Sequence, residues 1–285
     1  MVIINQLLKR ELKPLIQEID MFLLILLIFI LSYLFLLMPK YSKKTEWHDL
    51  CKYAYAHRGL HNEEYPENTL VAYQNAIDHG YGFEFDVQRT KDDVLVIMHD
   101  FNLKRACNID KEIVDLTYDE LKELTVFGSK YQIPLFTEVL ELVNGKVPLV
   151  IEFKQKDNNT KTCDLAAPFL DKYPGKFCVE SFHPLAVKWF RDNRPNWIRG
   201  QLSADFTKDD TKSAIISFLL ENLLFSVINR PDFVAYDVKD IRMFSFRVYR
   251  DILKGQTALW TIQDQATFMK YKDNHDLLIF ENFIA

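Results

Sequence analysis

The sequence predicts an α/β protein: a (β/α)8 TIM barrel with a small β-hairpin insertion, preceded by one transmembrane helix. Three observations predict it. Once the apolar N-terminal portion of the 285-residue chain is set aside, about 240 residues remain, a common size for a single eight-stranded α/β barrel. Through them, short apolar runs alternate with amphipathic stretches, the pattern of repeated βα units around a parallel sheet. Ahead of them, residues 21–38 read MFLLILLIFILSYLFLLM without a charge. At about 1.5 Å per residue that run crosses most of a bilayer core of about 30 Å.

Residues 1–20 read as an N-terminal flank and 21–38 as the transmembrane helix. The apolar run is longer than a signal-peptide core, and Pro39, Lys40 and Tyr41 follow it instead of small residues at a cleavage site, so an uncleaved single-pass anchor is expected. Lys9, Arg10 and Lys13 precede the span, and Lys40, Lys43, Lys44 and Lys52 follow it. That distribution leans towards a membrane protein whose barrel is cytoplasmic. Residues 39–50 read as a polar linker and 51–285 as the barrel domain.

Within the barrel, strand candidates fall at 53–56, 82–87, 147–153, 177–182, 197–202, 233–236, 257–261 and 277–280. Asn68 or Thr69 can cap a helix over 70–79, with Gly80 as its stop, and Thr117 with Glu120 forms a capping box before Leu121 and Leu124. Residues 94–98 are strand-like yet follow the second strand after only the turn Lys91-Asp92-Asp93. They read as a hairpin arm that rises above the barrel and returns. The stretch 101–145 then carries an insertion as well as helices.

The 48% hydrophobic and 14% aromatic content supplies a packed core. With 35 basic against 40 acidic residues the net charge is −5, which provides no basic field for nucleic acid. Cys51, Cys107, Cys163 and Cys178 show none of the CxxC spacing of a zinc or redox site and read as buried or idle thiols.

In such a barrel the site sits where the strands end, so polar residues at strand C-termini carry the chemistry. The first strand ends in His57-Arg58-Gly59, the second holds Glu84 and Asp86, the returning arm ends in His99-Asp100, and the third holds Glu152 and Lys154. Residues two apart on a strand share a face. Glu84 and Asp86 therefore project together, as do Glu152 and Lys154, and three carboxylates converge. Packed so closely they raise one another's pKa unless a cation sits among them. All-oxygen ligation suits one hard divalent cation, Mg2+ or Ca2+, and the scarcity of His and Cys argues against zinc. A lone Glu-x-Asp pair is ordinarily a solvated edge or a salt bridge, but here four segments contribute at once. His57 and His99 reach the same rim as a general acid/base pair. Arg58 and Lys154 supply the positive charge that a phosphodiester needs on its non-bridging oxygens. His48, His61, His79 and His275 read as structural.

His57-Arg58-Gly59, Pro66-Glu67-Asn68-Thr69, Glu84-x-Asp86, Thr90-x-Asp92, His99-Asp100, Asp115-Leu116-Thr117, Ile133-Pro134, Glu152-x-Lys154, Ser181-Phe182 and Trp260-Thr261 occur in that order. In these motifs, spread from residue 53 to about 265, the chain resembles the glycerophosphodiester phosphodiesterase family, in the superfamily that includes phosphatidylinositol-specific phospholipase C. The resemblance implies one divalent ion held by Glu84, Asp86 and Glu152, acid/base work by His57 and His99, and phosphate held by Arg58 and Lys154. It also implies cleavage of glycerophosphodiesters to glycerol 3-phosphate and an alcohol. Three positions depart from the family pattern: Asp93 where Gly is usual, Gln263 where Asn is common, and Glu281-Asn282 where Thr-Asp often ends the last strand. Asp93 is expected to impose a different turn, because Gly takes a positive φ more cheaply.

A small-molecule or lipid phosphodiester is thus the expected substrate. The runner-up activity is a lysophospholipase D acting on lipids of the anchoring membrane, which an exposed apolar rim at the barrel mouth would favour. A catalytically silent membrane-bound binding module would lack a metal carboxylate or a histidine, and all of these are present.

Overall fold

The computed structural model describes residues 2–40, 44–207, 213–273 and 275–285, with side chains from residue 17 in the first segment and from 45 in the second. Eight parallel strands form the barrel: β1 (Ala54–Ala56), β2 (Gly82–Arg89), β4 (Leu149–Phe153), β5 (Phe177–Ser181), β6 (Ile198–Ser203), β7 (Phe233–Asp237), β8 (Gln256–Ile262) and β9 (Leu277–Phe280). β1 pairs with both β9 and β2, which closes the sheet. The ninth strand, β3 (Leu95–Ile97), pairs antiparallel with β2 as the predicted hairpin arm. Its turn differs from expectation at one residue. Asp93 itself adopts the left-handed conformation, with φ 65°, and its carboxylate accepts from Arg89 at 3.3 Å and from Lys161 at 2.5 Å. Two cationic partners thus accompany the strain that Gly would have avoided.

The helices are α1 (Val2–Leu37), α2 (Lys44–Leu50), α3 (Leu70–Asp78), α4 (Lys104–Cys107), α5 (Tyr118–Leu121), α6 (Phe136–Val143), α7 (Lys161–Leu170), α8 (Pro184–Asn193), α9 (Ala214–Glu221), α10 (Ser226–Asn229), α11 (Phe244–Arg247) and α12 (Gln265–Tyr271). Local chemistry starts them. The Thr69 hydroxyl, not Asn68, caps α3 by accepting from Ala72, and Gly80 follows its end at φ 73°. Thr117 and Glu120 cap α5 reciprocally. The arm and the insertion share an apolar cluster in which Val96, Met98, Leu103, Ile113, Leu121 and Ile133 are all buried. This packing holds the arm upright beside the mouth.

Two N-terminal features go beyond the sequence reading. Gln17–Leu37 is one helical stretch long and apolar enough to cross a membrane, and it continues back through the predicted flank to Val2. The region read as linker contains α2, and that helix plugs the barrel floor. Trp47 stacks on Phe233 at 4.5 Å, and the Tyr55 hydroxyl donates to the Leu50 carbonyl at 2.9 Å. Of the basic residues that bear on sidedness, Lys43 lies outside the described residues, and the side chains of Lys9, Arg10, Lys13 and Lys44 are likewise outside them. The four thiols are free.

Candidate active site

The register of the sheet assembles the acidic centre. Asp86 on β2 pairs with Glu152 on β4, and Glu152 with Glu180 on β5. Inward-facing residues on adjacent strands therefore stack into one carboxyl-rich layer, with Glu84 two residues below Asp86. One oxygen each from Glu84, Asp86 and Glu152 lies within 4.8 Å of the others, and all three residues are buried. Burial first, then the neighbouring charges of Asp86 and Glu152, pushes the Glu84 carboxyl well above the usual range. Burial also raises Glu152, against the opposing pull of Lys154. Burial works on Asp86 in the same direction, but His99, Lys154, Arg58 and Asn68 outweigh it and hold this carboxylate low.

Cations hem in the cluster. Lys154 Nζ lies 2.9 Å from Glu152 Oε1 and 3.6 Å from Asp86 Oδ1. Arg58 Nε lies 3.8 Å from Asp86 Oδ2, its backbone N–H donates to Glu84 Oε2 at 3.0 Å, and its Nη1 donates to Glu67 Oε1 at 2.8 Å. The turn that aims it is tight: Arg58 has φ 55° and Gly59 φ 82°. A Cβ on Gly59 would come within 2.9 Å of both the Ala72 backbone and the Tyr73 ring. Glycine at that position is therefore required by both conformation and space.

Each histidine is oriented by a carboxylate. His57 Nδ1 sits 2.7 Å from Glu281 Oε2, leaving Nε2 towards the cluster at 3.9 Å from Glu84 Oε2. Burial pulls the His57 pKa down, and the Glu281 hydrogen bond resists that pull. His99 Nδ1 sits 2.7 Å from Asp100 Oδ1, and Arg105 Nε donates to the other Asp100 oxygen at 2.6 Å. Arg105 also binds Glu67, so an ion-pair chain runs from Asp100 through Arg105 and Glu67 to Arg58.

All seven predicted residues therefore gather at the mouth. Others join them to which the sequence reading assigns no part in the site. In the sequence Glu281 is only a departure from the family pattern at the end of the last strand, yet it orients His57 and accepts from Gln263 at 2.9 Å. The rule that found Glu152, a polar residue just where a strand ends, would have found it. His61, read as structural, lies 3.8 Å from the same Glu281 oxygen. Asn68 donates to Asp86 Oδ2 at 2.8 Å and accepts from the Tyr73 hydroxyl at 2.7 Å. Glu180 had no motif to mark it. A surface cleft of about 600 Å³ at the other end of the barrel, lined by Arg250, Lys254, Lys270 and His275, contains none of these groups.

The family model for the glycerophosphoryl diester phosphodiesterase family matches residues 57–249. The chain belongs to that family. A curated glycerophosphodiester phosphodiesterase of Bacillus altitudinis is 40% identical over 111 residues, which is 36% of this chain and 45% of that protein. A lysophospholipase D of Homo sapiens is 35% identical over 116 residues, 36% of each chain. This glycerophosphodiester phosphodiesterase family chain thus aligns with less than half the length of either relative. A phosphodiesterase of Oleispira antarctica, solved with its product sn-glycerol-3-phosphate, shares the fold with a TM-score of 0.65 at 22% identity, covering 80% of this chain and 92% of that one.

The donor set fits a hard divalent cation. Glu84 Oε1 is buried without a hydrogen-bond partner among the described residues, and Asp86 Oδ1, also without one, has the Lys154 ammonium at 3.6 Å. A carboxylate oxygen orphaned as Glu84 Oε1 is costly unless a cation meets it. An all-oxygen triad beside two fixed positive charges is the arrangement that Mg2+ or Ca2+ takes readily.

Proposed function

We propose that this chain hydrolyses glycerophosphodiesters to glycerol 3-phosphate and an alcohol, with His57 and His99 as the acid/base pair and one divalent cation, Mg2+ or Ca2+, as cofactor. The observation that carries this reading is the pairing of a buried carboxylate triad with two carboxylate-oriented histidines at one barrel mouth. Family membership supports it, as do the activity named for the Bacillus altitudinis relative and the product bound by the Oleispira antarctica protein.

Glu84, Asp86 and Glu152 would hold the ion. When bound, it supplies Lewis-acid polarisation of the phosphoryl oxygen and neutralises charge that gathers there. Arg58 and Lys154 bind the non-bridging oxygens and fix the phosphorus in the mouth. Glu281 and Asp100 accept from Nδ1 of His57 and His99, so each ring presents Nε2 to the substrate. One Nε2 takes the proton of the attacking hydroxyl, and the other gives a proton to the departing alcohol.

A second reading, lysophospholipase D action on lipids of the anchoring membrane, is favoured by the human relative's name and by the exposed side chain of Phe244, seven residues past the end of β7. The experiment follows glycerol 3-phosphate release by the full-length protein from a panel of glycerophosphodiesters and lysophospholipids, in EDTA and after adding Mg2+ or Ca2+. Metal-dependent release from the soluble diesters is expected. Cleavage of lysophospholipids alone would transfer the conclusion to the second reading, and no cleavage under any metal would leave the silent binding module.

A further inference from the structure

Helix α9 has its polarity reversed for a surface helix. Its sequence is AIISFLLE, and Ser217, Leu220 and Glu221 are the buried side chains. Ile215 is 72% exposed, Phe218 55% and Ile216 41%. A soluble barrel would turn its charged face to water here, and a contiguous apolar patch of this kind marks a binding surface.

The patch belongs to the mouth end. Ser203, the last residue of β6, donates its hydroxyl to the Leu220 carbonyl at 2.9 Å. The Tyr236 hydroxyl, near the end of β7, donates to the Glu221 carbonyl at 2.9 Å. The last turn of α9 is therefore level with the strand ends, and the chain then descends through α10 to enter β7 at the floor.

Helix α1 runs along the same flank. At the floor end, Arg230 Nη1 donates to the Phe35 and Met38 carbonyls at 3.3 and 3.4 Å, Leu37 is fully buried, and Lys40 pairs with Asp232 at 3.5 Å. Towards the mouth, Tyr33 stacks on Phe244 at 6.0 Å. Phe244 opens α11, seven residues past the end of β7, and is 70% exposed. Read from residue 37 back to 33, α1 rises about 6 Å from the floor towards the mouth, and its remaining apolar turns continue in that direction.

Length then decides where the membrane lies. The charge-free run 21–38 is already only about 27 Å long at about 1.5 Å per residue. With Tyr33 to Leu37 packed on the barrel, residues 21–32 offer roughly 18 Å against a hydrocarbon core of about 30 Å. The apolar core has to reach down beside the barrel, and the side chains that meet it there are Phe244 and the outer face of α9.

We propose that the barrel docks mouth-first on the bilayer that holds its anchor, with the outer face of α9 and Phe244 inserted in the near leaflet. Such docking gives the lysophospholipase D reading above its route: the phosphodiester head group reaches the site while the acyl chain stays in the near leaflet. Phe244 meets the anchor at Tyr33, and its neighbour Ser245 donates to the Glu221 carbonyl at the end of α9 at 3.2 Å, so rim and anchor share one flank and lipid is the occupant that both apolar surfaces fit. The substrate half of the proposal rests on the phosphodiesterase reading above. In the net reaction, water adds a P–O bond, the P–O bond to the head-group alcohol breaks, and the proton lost by water ends on that alcohol. The acylglycerol phosphate stays in the leaflet.

The test uses full-length protein in phosphatidylcholine nanodiscs, with Cys51 and Cys107 replaced by Ser and a nitroxide on Ile215→Cys or, at the floor, on Lys176→Cys. The label at 215 is expected to collide with dissolved oxygen in preference to a nickel chelate, and the label at 176 the reverse. Equal behaviour at the two positions overturns the docking, and so does shielding of 215 from both reagents, which would mean a protein partner or a second copy. This readout needs no turnover. Separately, Ile215→Glu combined with Phe218→Glu is expected to lower kcat/KM on lysophosphatidylcholine in nanodiscs about tenfold, since charged side chains are expelled from the interface. Turnover of a soluble glycerophosphodiester is expected to hold within about twofold. Equal losses on both substrates, or none on the lipid, overturn the lipid-access claim. Absence of turnover on every substrate would remove the phosphodiesterase reading while the label result still decided the docking.

Discussion

The two ends of the barrel lumen use the same strands for opposite purposes. On β4 the inward positions change from Val150 to Glu152, and on β5 from Cys178 to Glu180, within two residues of rise. At the floor, Tyr55, Val150, Cys178 and Phe233 pack beneath Trp47 in a purely hydrophobic cluster. At the mouth, Glu84, Asp86, Glu152 and Glu180 are equally buried but charged or forced neutral. Burial pushes the Glu180 carboxyl well above its usual range, aided by Glu152 and Asp86. The floor is packed as hydrophobic core. The mouth concentrates buried negative charge at a cost in stability, and in the proposed function an ion and a phosphodiester use it.

This contrast is broken most sharply at the histidines. His57→Ala and His99→Ala are each expected to lower kcat by about 100- to 10,000-fold while the melting temperature stays near that of the parent. Normal turnover in both variants would remove the proposed acid/base roles. Trp47→Ala should do the reverse. Losing the Phe233 stack and the floor plug is expected to cost roughly 3–5 kcal/mol of stability, read from denaturant midpoints, with specific activity of the folded fraction unchanged. A fall in activity without a fall in stability would show that floor and mouth are not separate.

Glu281→Gln tests orientation alone. The expected loss is about 10- to 100-fold in kcat, with ion affinity retained, because Glu281 touches His57 and not the carboxylate triad. A loss as deep as that of His57→Ala would give Glu281 a direct part in the chemistry.

The smallest effect belongs to the floor and to pH. Burial, followed by the Arg250 charge, lowers the His275 pKa to about 4. The unfolded chain therefore binds more protons than the fold between the ordinary histidine pKa of about 6.5 and that lowered value. Stability is fully present above this window and declines as pH falls through it, by about 2 kcal/mol after solvent screening is allowed for. His275→Gln should flatten that part of the stability profile. An unchanged slope would assign the acid sensitivity to other groups.

Most of this organisation was legible in the sequence because it rests on local signals. Eight apolar runs gave the strands, and Thr69, Gly80 and the Thr117/Glu120 box gave helix limits that the structure reproduces within a residue or so. The motif residues at strand ends name seven side chains, which the structure brings to one mouth. What was not legible depends on contacts between distant segments. Glu281 reaches His57 across 224 positions of chain, and only closure of β9 against β1 brings them together. Glu180 acquires its surroundings from lateral register, which no motif encodes. Trp47 lay in what reads as polar linker, and only the open floor of the barrel makes it a core residue. Asp93 shows the limit of a residue rule: a positive φ favours glycine, yet ion pairs with Arg89 and Lys161 accompany the exception.

The most direct test of the central claim is calorimetric titration of Mg2+ and Ca2+ into the metal-free full-length protein, its Asp86→Asn variant and its His57→Ala variant, with turnover of a soluble glycerophosphodiester measured on the same samples. The account predicts one ion bound by the parent and by His57→Ala, none by Asp86→Asn, and turnover lost in both variants. Parent-like ion binding by Asp86→Asn, or parent-like turnover by His57→Ala, would contradict it.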